Sequence, residues 1–390
     1  MQYKSLENTN NTIRQLCCYA VLIIMSIISG LDLTQGELHY KTIWIGLGIE
    51  AVIITIAVAI SSYIVADFFA LCLFLALSLI ICYEARSPHF LFFAFGAIAF
   101  VELEYKKGFA VLLVTRFTMA VVVIVLSITH YFDQNKLELI KGNRVVYGYG
   151  LGYTHPNRMS YVLLLIMLLI FCWREGNLRY RDLIAYGFLF CINMLVAFSR
   201  TTLFCMLIFF MLILLYRYAN KNNVMRKTLY YGSVILMPIC CLLSVAFPMI
   251  YQTDKKYMPL VKRLNEVLNG RISYAAKAMK TYEFTLFGGL KDYSEINLQF
   301  EQNPIDNGYI RFIFAFGIIG MIIMILFTTM TIITLLSRRQ YHFVIVCVVI
   351  SVWSVFENIL MAYSFNLIPF FWNEIIVYRK NQYRIRNSSA

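Results

Sequence analysis

Four short polar segments interrupt a 390-residue chain that is otherwise strongly apolar, and each holds side chains able to bind an anion or move a proton. The segments cover residues 148–158, 199–202, 269–289 and 304–311. Three of them place an arginine at the edge of an apolar run, namely Arg200, Arg271 and Arg311. A guanidinium group binds phosphate or carboxylate oxygens through two parallel hydrogen bonds, so these arginines are candidates for anion binding.

The first and fourth segments open apolar runs with residues that favour the start of a helix. Pro156 suits the first helical turn, and Asn157 can cap its free backbone N–H groups. Asp306 and Asn307 are equally good N-cap residues for the run that holds Arg311. Capping alone is therefore an alternative to a chemical role for these residues.

Two of the arginines have alternative interpretations that depend on membrane depth. Arg311 lies a little more than one turn inside its apolar run, where a charge needs an anionic partner, either Glu357 or a bound anion. Arg200 lies between two apolar runs, where it either binds an anion or extends to the membrane interface. Residues 271–282 have the composition of a short amphipathic helix on the membrane surface.

Membrane-spanning helices must position these residues. Hydrophobic residues make up 60% of the chain and charged residues 14%, against about 25% charged residues in a soluble domain. The mean hydropathy of +0.70 excludes both a soluble fold and a disordered chain. The apolar runs are continuous rather than alternating, which excludes a lipid-facing β-barrel. We therefore expect an all-α, polytopic integral membrane protein.

A helix needs about 20 apolar residues to cross the hydrocarbon, and the apolar runs predict about twelve spans, with a range of ten to twelve. The predicted spans are residues 13–31, 43–60, 63–83, 88–101, 109–130, 159–173, 183–198, 203–218, 229–250, 308–336, 341–357 and 361–378. Two long outer loops are predicted at 131–158 and 251–306, and the second contains the amphipathic helix. Residues 1–390 thus form a single transmembrane domain.

The distribution of Lys and Arg predicts that both chain ends face the cytoplasm. The predicted cytoplasmic segments hold seventeen of these residues, whereas the short outer loops hold three, and short cation-rich loops stay in the cytoplasm. No nucleic-acid-binding motif accompanies the cations, so nucleic acid is not an expected partner. The ten cysteines lie in or beside apolar runs without a CxxC pair, so no metal site is expected.

Two opposite charges lie deeper, with Glu50 in the middle of the second span and Arg116 in the middle of the fifth. Their similar depth predicts a structural ion pair that holds helices together. The alternative is a transport role, although the sequence shows no pair of related halves such as transporters carry.

Taken together, the polar segments resemble those of the O-antigen polymerases and ligases, the Wzy-type enzymes of bacterial surface polysaccharides. The resemblance extends over about residues 144–360 and keeps the order and the predicted outer location of the motifs. These are His155-Pro156-Asn157 before a span, Ser199-Arg200-Thr201 at a helix turn, Arg271 followed by Thr285-Leu286-Phe287-Gly288 in a large outer loop, and Asp306-Asn307-Gly308-Tyr309 opening a span that bears Gly317-Ile318-Ile319-Gly320.

The resemblance implies a polysaccharide polymerase of the bacterial plasma membrane with its active site on the outer face. Such an enzyme moves a growing glycan from a polyprenyl-pyrophosphate carrier to the next lipid-linked repeat unit, without a metal or another cofactor. The product is a capsule, an exopolysaccharide or an O-antigen, and a flippase and a chain-length regulator are the implied protein partners. The alternatives are a ligase-type transferase to another acceptor and a repeat-unit flippase.

The resemblance also assigns roles to residues. Arg200 and Arg271 are expected to stabilise the departing pyrophosphate, and Asp306 is expected to take the proton of the acceptor hydroxyl. Ligases of the family carry a histidine where this chain has Asp306, so Glu357 is the alternative base. The residues expected to bind pyrophosphate or sugar are His155, Asn157, Arg158, Arg311, Asn307, Tyr309 and Glu357.

Overall fold

The computed structural model describes residues 2–34, 39–61, 65–101, 103–141, 144–219, 223–253, 258–268, 270–289 and 305–375. The α-helices in these ranges are α1 (Gln2–Asp32), α2 (His39–Ala59), α3 (Val65–Ala85), α4 (His89–Ala99), α5 (Tyr105–Ile128), α6 (Pro156–Trp173), α7 (Tyr180–Ile192), α8 (Arg200–Ala219), α9 (Asn223–Thr253), α10 (Met258–Val267), α11 (Arg271–Thr281), α12 (Gly308–Ser337) and α13 (Tyr341–Phe356). The strands are β1 (Lys136–Lys141) and β2 (Arg144–Tyr149).

Nine helices in the described ranges are long and apolar enough to cross a membrane. They are α1, α2, α3, α5, α6, α7 with its extension to Ala197, α8, α9 and α12. The apolar helices α4 and α13 coincide with two more predicted spans but have only 11 and 16 residues, which rise about 16 and 24 Å. The prediction of a polytopic helical membrane protein is thus confirmed, while the described residues contain nine long apolar helices and do not confirm the count of about twelve.

The twelfth predicted span, 361–378, is not a continuous helix over the residues that are described, because only 373–375 are α-helical there. The chain after α13 runs through turns and a short 3-10 helix, Ile368–Phe371. Pro369 lacks the backbone N–H that an α-helix needs. Asn366 satisfies part of the irregular backbone, since its amide donates to the Leu360 carbonyl and its Oδ1 accepts from the Ile368 N–H.

This irregular segment nevertheless runs from one end of α12 to the other. At its start Glu357 pairs with Arg271, which also contacts Asp306 just before α12. At its end Glu374 pairs with Arg338, just after α12. Irregular backbone at membrane depth is stable only where protein covers it, and nearly all side chains of this segment are buried.

The long helix α12 is interrupted at Gly317, whose φ of 73° and ψ of 178° are accessible essentially to glycine alone. The break frees the N–H groups of Ile318 and Ile319, which donate to the carbonyls of Thr285 and Leu286, each at 3.0 Å. The segment that follows α11 therefore accepts the hydrogen bonds that the interrupted helix cannot make internally, and it connects α11 to α12. Two of the sequence motifs are in direct contact here.

The all-α prediction is confirmed for the bundle, and part of the predicted outer loop 131–158 forms one short hairpin. β1 and β2 pair as an antiparallel hairpin in which Lys136 lies opposite Tyr149. The Nζ of Lys136 also lies 3.8 Å from the centre of the Tyr147 ring. Gly142-Asn143 in the sequence is typical of a two-residue hairpin turn, a local signal that an argument from hydropathy misses.

The predicted ion pair between Glu50 and Arg116 does not form. Glu50 is fully buried on α2, and neither carboxylate oxygen has a hydrogen-bond partner among the described residues. Arg116 on α5 donates from Nη1 to the Ser26 carbonyl at 3.4 Å. Ser26 belongs to α1, which packs against both α2 and α5 and separates the two charges. Sequence position predicts the depth of a side chain, not the direction in which it points.

Candidate functional site

Arg271 joins three other parts of the chain through its guanidinium group. It is the first residue of α11. Its Nη2 donates to Glu357 Oε1 at 2.7 Å, its Nε to Asp306 Oδ2 at 3.3 Å, and its Nη1 to Thr201 Oγ1 at 3.2 Å. The structure therefore brings together the second, third and fourth polar segments of the sequence, along with the residue that follows α13.

The side chains around Arg271 stabilise its positive charge. Its side chain is only 15% exposed. Burial lowers the pKa of Arg271, but the carboxylates of Glu357 and Asp306 outweigh this effect, so the pKa is raised above its ordinary value. The guanidinium therefore stays charged at any physiological pH.

The two carboxylates beside Arg271 differ in their access to solvent. Glu357 is 2% exposed, and its two oxygens accept from Arg271 and from the hydroxyl of Tyr161. Asp306 is 31% exposed, and only its Oδ2 contacts Arg271. The other oxygen of Asp306 has no hydrogen-bond partner in the described part of the chain. Glu357 thus anchors Arg271, whereas Asp306 keeps an oxygen that can take a proton.

His155 supplies the N-cap of α6 and lies near the same site. Its Nδ1 accepts from the backbone N–H of Asn157 at 3.0 Å, so the histidine performs the capping expected of the asparagine. Burial lowers the pKa of His155 and the charge of Arg158 lowers it further, while the carboxylate of Asp306 opposes the shift. The ring is therefore neutral at pH 7, and because Nδ1 accepts, Nε2 carries the proton and can donate it in a hydrogen bond.

Asn307 and Tyr309 fix the start of α12. The Oδ1 of Asn307 accepts from the N–H groups of Tyr309 and Ile310, each at 3.1 Å, and its Nδ2 donates to the Ser244 hydroxyl at 3.0 Å. Tyr309 is fully buried, and its hydroxyl donates to the Ser351 carbonyl at 2.9 Å. Because these polar groups are used within the protein, the geometry favours a role in positioning the preceding aspartate.

The turn between α7 and α8 presents Arg200 at its end. After α7 the chain forms a π-helical stretch, Asn193–Ala197. Asn193 fixes the turn, since its amide donates to the Ser199 carbonyl at 3.2 Å and its Oδ1 accepts from the Ser160 hydroxyl at 2.7 Å. The apolar stretch therefore divides into two helices at the predicted position.

A cavity of about 530 Å³ opens beside Arg271, between α8, α9, α10, α11 and α13. Arg200, Thr201, Arg271 and Asn307 line its polar part. The apolar lining is larger and comprises Phe204, Leu243, Phe247, Leu264, Val267 and Leu268 among others. Arg200 is exposed and forms no ion pair with the residues that the structure describes. The cavity thus combines an unpaired cation with an apolar wall.

Of the two partners predicted for Arg311, Glu357 or a bound anion, the structure does not place Glu357 against it. It is half-buried in the first turn of α12, where its N–H donates to the Asn307 carbonyl. Both oxygens of Glu357 are taken by Arg271 and Tyr161 instead. Tyr161 belongs to no polar segment of the sequence, and its only signal there is that a tyrosine within an apolar span needs a partner for its hydroxyl.

The site consists of the mostly buried Arg271, which lines a largely apolar cavity, the open carboxylate of Asp306, which contacts Arg271, and the neutral His155 near that carboxylate. Its side chains come from α6, α8 and α11 and from the residues that flank α12 and α13. In comparisons with known proteins, no family model, no curated protein and no solved structure matches this chain.

Proposed function

We propose that the protein is a polysaccharide polymerase that moves a growing glycan from a polyprenyl-pyrophosphate carrier to the next lipid-linked repeat unit. The observation that carries the proposal is the position of Arg271, held by Glu357 and Asp306 beside a cavity with largely apolar walls. Such a cavity fits a ligand that has an anionic head and an apolar chain.

The proposed reaction exchanges one bond at the anomeric carbon for another. The acceptor hydroxyl oxygen attacks this carbon, the bond to the pyrophosphate oxygen breaks, and its electron pair leaves with the pyrophosphate. Arg200 and Arg271 offer guanidinium groups to the charge that develops on the leaving oxygen. Donors that are already oriented stabilise such charge without reorganisation, most strongly where water is excluded.

Asp306 is the better candidate for the group that takes the acceptor proton. Its second carboxylate oxygen is open, whereas Glu357 would have to give up its bond to Arg271 or to Tyr161. His155 carries its proton on Nε2 and would serve as a hydrogen-bond donor to a substrate oxygen. The proton therefore passes from the acceptor hydroxyl to the aspartate as the new glycosidic bond forms.

The proposal is tested by incubating purified protein with repeat units linked to undecaprenyl pyrophosphate and separating the products by size. We expect a ladder whose rungs differ by one repeat unit. Arg200→Gln and Arg271→Gln should abolish the ladder. Lys280→Gln, which removes an exposed charge from the same helix as Arg271, should leave the ladder intact. Release of single repeat units alone, without any ladder, would count against a polymerase.

A ligase-type transferase would use the same site and differ in its acceptor. It would show no turnover until a second, non-identical acceptor is added to the assay. The appearance of a ladder with the lipid-linked repeat as the only acceptor therefore separates the two transferases.

A repeat-unit flippase is a second candidate, and one observation favours it. Glu50 is buried in the middle of α2 with no partner for either oxygen in the described ranges, and ionisable groups within a membrane often mark a transport path. For a polymerase, we expect Glu50→Gln to leave the rate of ladder formation unchanged. A flippase would instead lose transport of repeat units across a vesicle bilayer in the same variant.

A further inference from the structure

A second pocket, of about 250 Å³, lies at the opposite end of α12 from the Arg271 site. It is formed where α8 ends, where α9 begins and where α12 turns into α13. The lining side chains of interest are Arg226, Lys227, Arg339, Tyr230 and Tyr341. All 30 residues of α12 separate this pocket from the first site, and the charge distribution predicts that this end faces the cytoplasm.

The three cations of this pocket, Arg226, Lys227 and Arg339, have no acidic counterpart among the residues whose structure is described. No carboxylate lines the pocket, and none of the three forms an ion pair within the described ranges. The adjacent Arg338, in contrast, is paired with Glu374. Like charges around one cavity repel each other, so an anion in the cavity would lower the free energy of the folded protein.

The turn between α12 and α13 holds Arg339 in a strained conformation. Its φ of 58° is left-handed, and glycine is the residue that usually fills this position after a helix. The N–H of Arg339 donates to the Leu336 carbonyl at 3.1 Å, and the N–H of Gln340 donates to the Leu335 carbonyl at 2.9 Å. Glycine would be unstrained at this position, so the left-handed conformation of Arg339 lowers the stability of the turn.

We propose that this pocket binds a phosphate group, and that the phosphate belongs to an anionic membrane lipid. A phosphate ester accepts hydrogen bonds, and the pocket offers guanidinium, ammonium and phenol donors. The hydroxyls of Tyr230 and Tyr341 have no hydrogen-bond partner in the part of the chain that is described, so both can donate to a ligand. The volume equals that of about eight water molecules at ~30 Å³ each, which leaves room for a phosphate and its ester oxygens.

The position of the pocket favours a lipid over a soluble anion. It lies between the ends of spanning helices, which is the depth of the lipid headgroups, on the side predicted to face the anionic cytoplasmic leaflet. The proposal does not depend on the polymerase assignment, because it uses none of the residues of the first site.

The test counts bound lipid by native mass spectrometry and measures the stabilisation that the lipid causes by thermal unfolding. Protein purified in neutral detergent is titrated with phosphatidylglycerol, with phosphatidylcholine, or with inorganic phosphate at constant ionic strength. We expect one phosphatidylglycerol to remain bound per chain and to raise the Tm, with no such effect of phosphatidylcholine. A rise in Tm with inorganic phosphate but no retained lipid would overturn the assignment to a lipid.

Two variants and a matched control complete the test. Arg226→Gln with Arg339→Gln should weaken phosphatidylglycerol binding by roughly fivefold per cation, hence about 25-fold. The control, Lys106→Gln with Arg181→Gln, removes two exposed cations elsewhere at the same end and should bind as the wild type does.

Arg339→Gly is the sharper variant, because it relieves the left-handed strain while it removes a cation. We expect a higher Tm without lipid and weaker lipid binding. Equal binding of phosphatidylglycerol by the wild type, by Arg339→Gly and by the double variant would overturn the proposal.

Discussion

Arg271→Lys keeps the positive charge of the proposed active site and removes the guanidinium fork. Three different nitrogens of Arg271 donate to Glu357, Asp306 and Thr201. A lysine ammonium on its flexible stem can keep the charge contact with Glu357, but it cannot reach all three acceptors in this geometry. The hydrogen bonds that are lost are worth about 1–3 kcal/mol of unfolding free energy in total.

The effect on the rate should be larger than the effect on stability. A preorganised donor to a developing negative charge contributes about 10²–10³ in rate, or roughly 3–4 kcal/mol. We therefore expect ladder formation by Arg271→Lys to slow about a hundredfold or more, in protein that still unfolds cooperatively. Lys280→Arg, the reverse exchange at an exposed position of α11, is the control and should keep the wild-type rate. A wild-type rate in Arg271→Lys would refute a role of the guanidinium in stabilising the pyrophosphate.

Three further predictions concern the backbone break, the base and the cap. Gly317→Ala would place a Cβ 2.3 Å from a backbone carbonyl oxygen at a φ of 73°, so we expect the free energy of unfolding to fall by at least about 2 kcal/mol in thermal unfolding. The control is Gly48→Ala, whose Cβ meets nothing within 4 Å and which should be neutral or stabilising. Asp306→Asn keeps an oxygen for the arginine but removes the proton acceptor, so the ladder should slow about 10²–10⁴-fold in protein that still unfolds cooperatively. An unchanged rate would place the base elsewhere. The pKa of His155 lies below its ordinary 6.5, so its capping hydrogen bond is complete above pH 6.5 and is lost as the pH falls through the lowered pKa. The Tm of the wild type should therefore fall in this pH range. His155→Asn caps the helix without titrating, so its Tm should not show this step.

The spans were largely predictable because the hydrocarbon imposes a length and an apolar composition on a helix whatever its neighbours are. The chain after α13 is an exception, because its apolar composition does not produce a spanning helix. It is as apolar as a span, but Pro369 interrupts the helix and the surrounding bundle covers its irregular backbone. Coverage by other helices is a tertiary property, and a count of apolar residues does not contain it.

The sequence predicted which residues belong to the polar site better than it predicted which of them contact each other. Arg271 and Asp306 come from separate polar segments, and Arg271 Nε lies 3.3 Å from Asp306 Oδ2. Glu357 is one of two partners predicted for Arg311, the other being a bound anion, and it pairs with Arg271 instead. Likewise, Glu50 lies in the middle of α2, but its carboxylate oxygens have no hydrogen-bond partner in the described structure. The direction in which a helix presents each side chain depends on its packing partners, which a single sequence does not specify.

Polymerase activity is tested most directly by counting, with mass spectrometry, the undecaprenyl pyrophosphate that purified protein releases for each glycosidic bond formed from lipid-linked repeat units. We expect one carrier pyrophosphate per bond and products that grow by one repeat unit at a time. Repeat units that cross a vesicle bilayer intact, with no bond formed and no carrier released, would contradict this expectation.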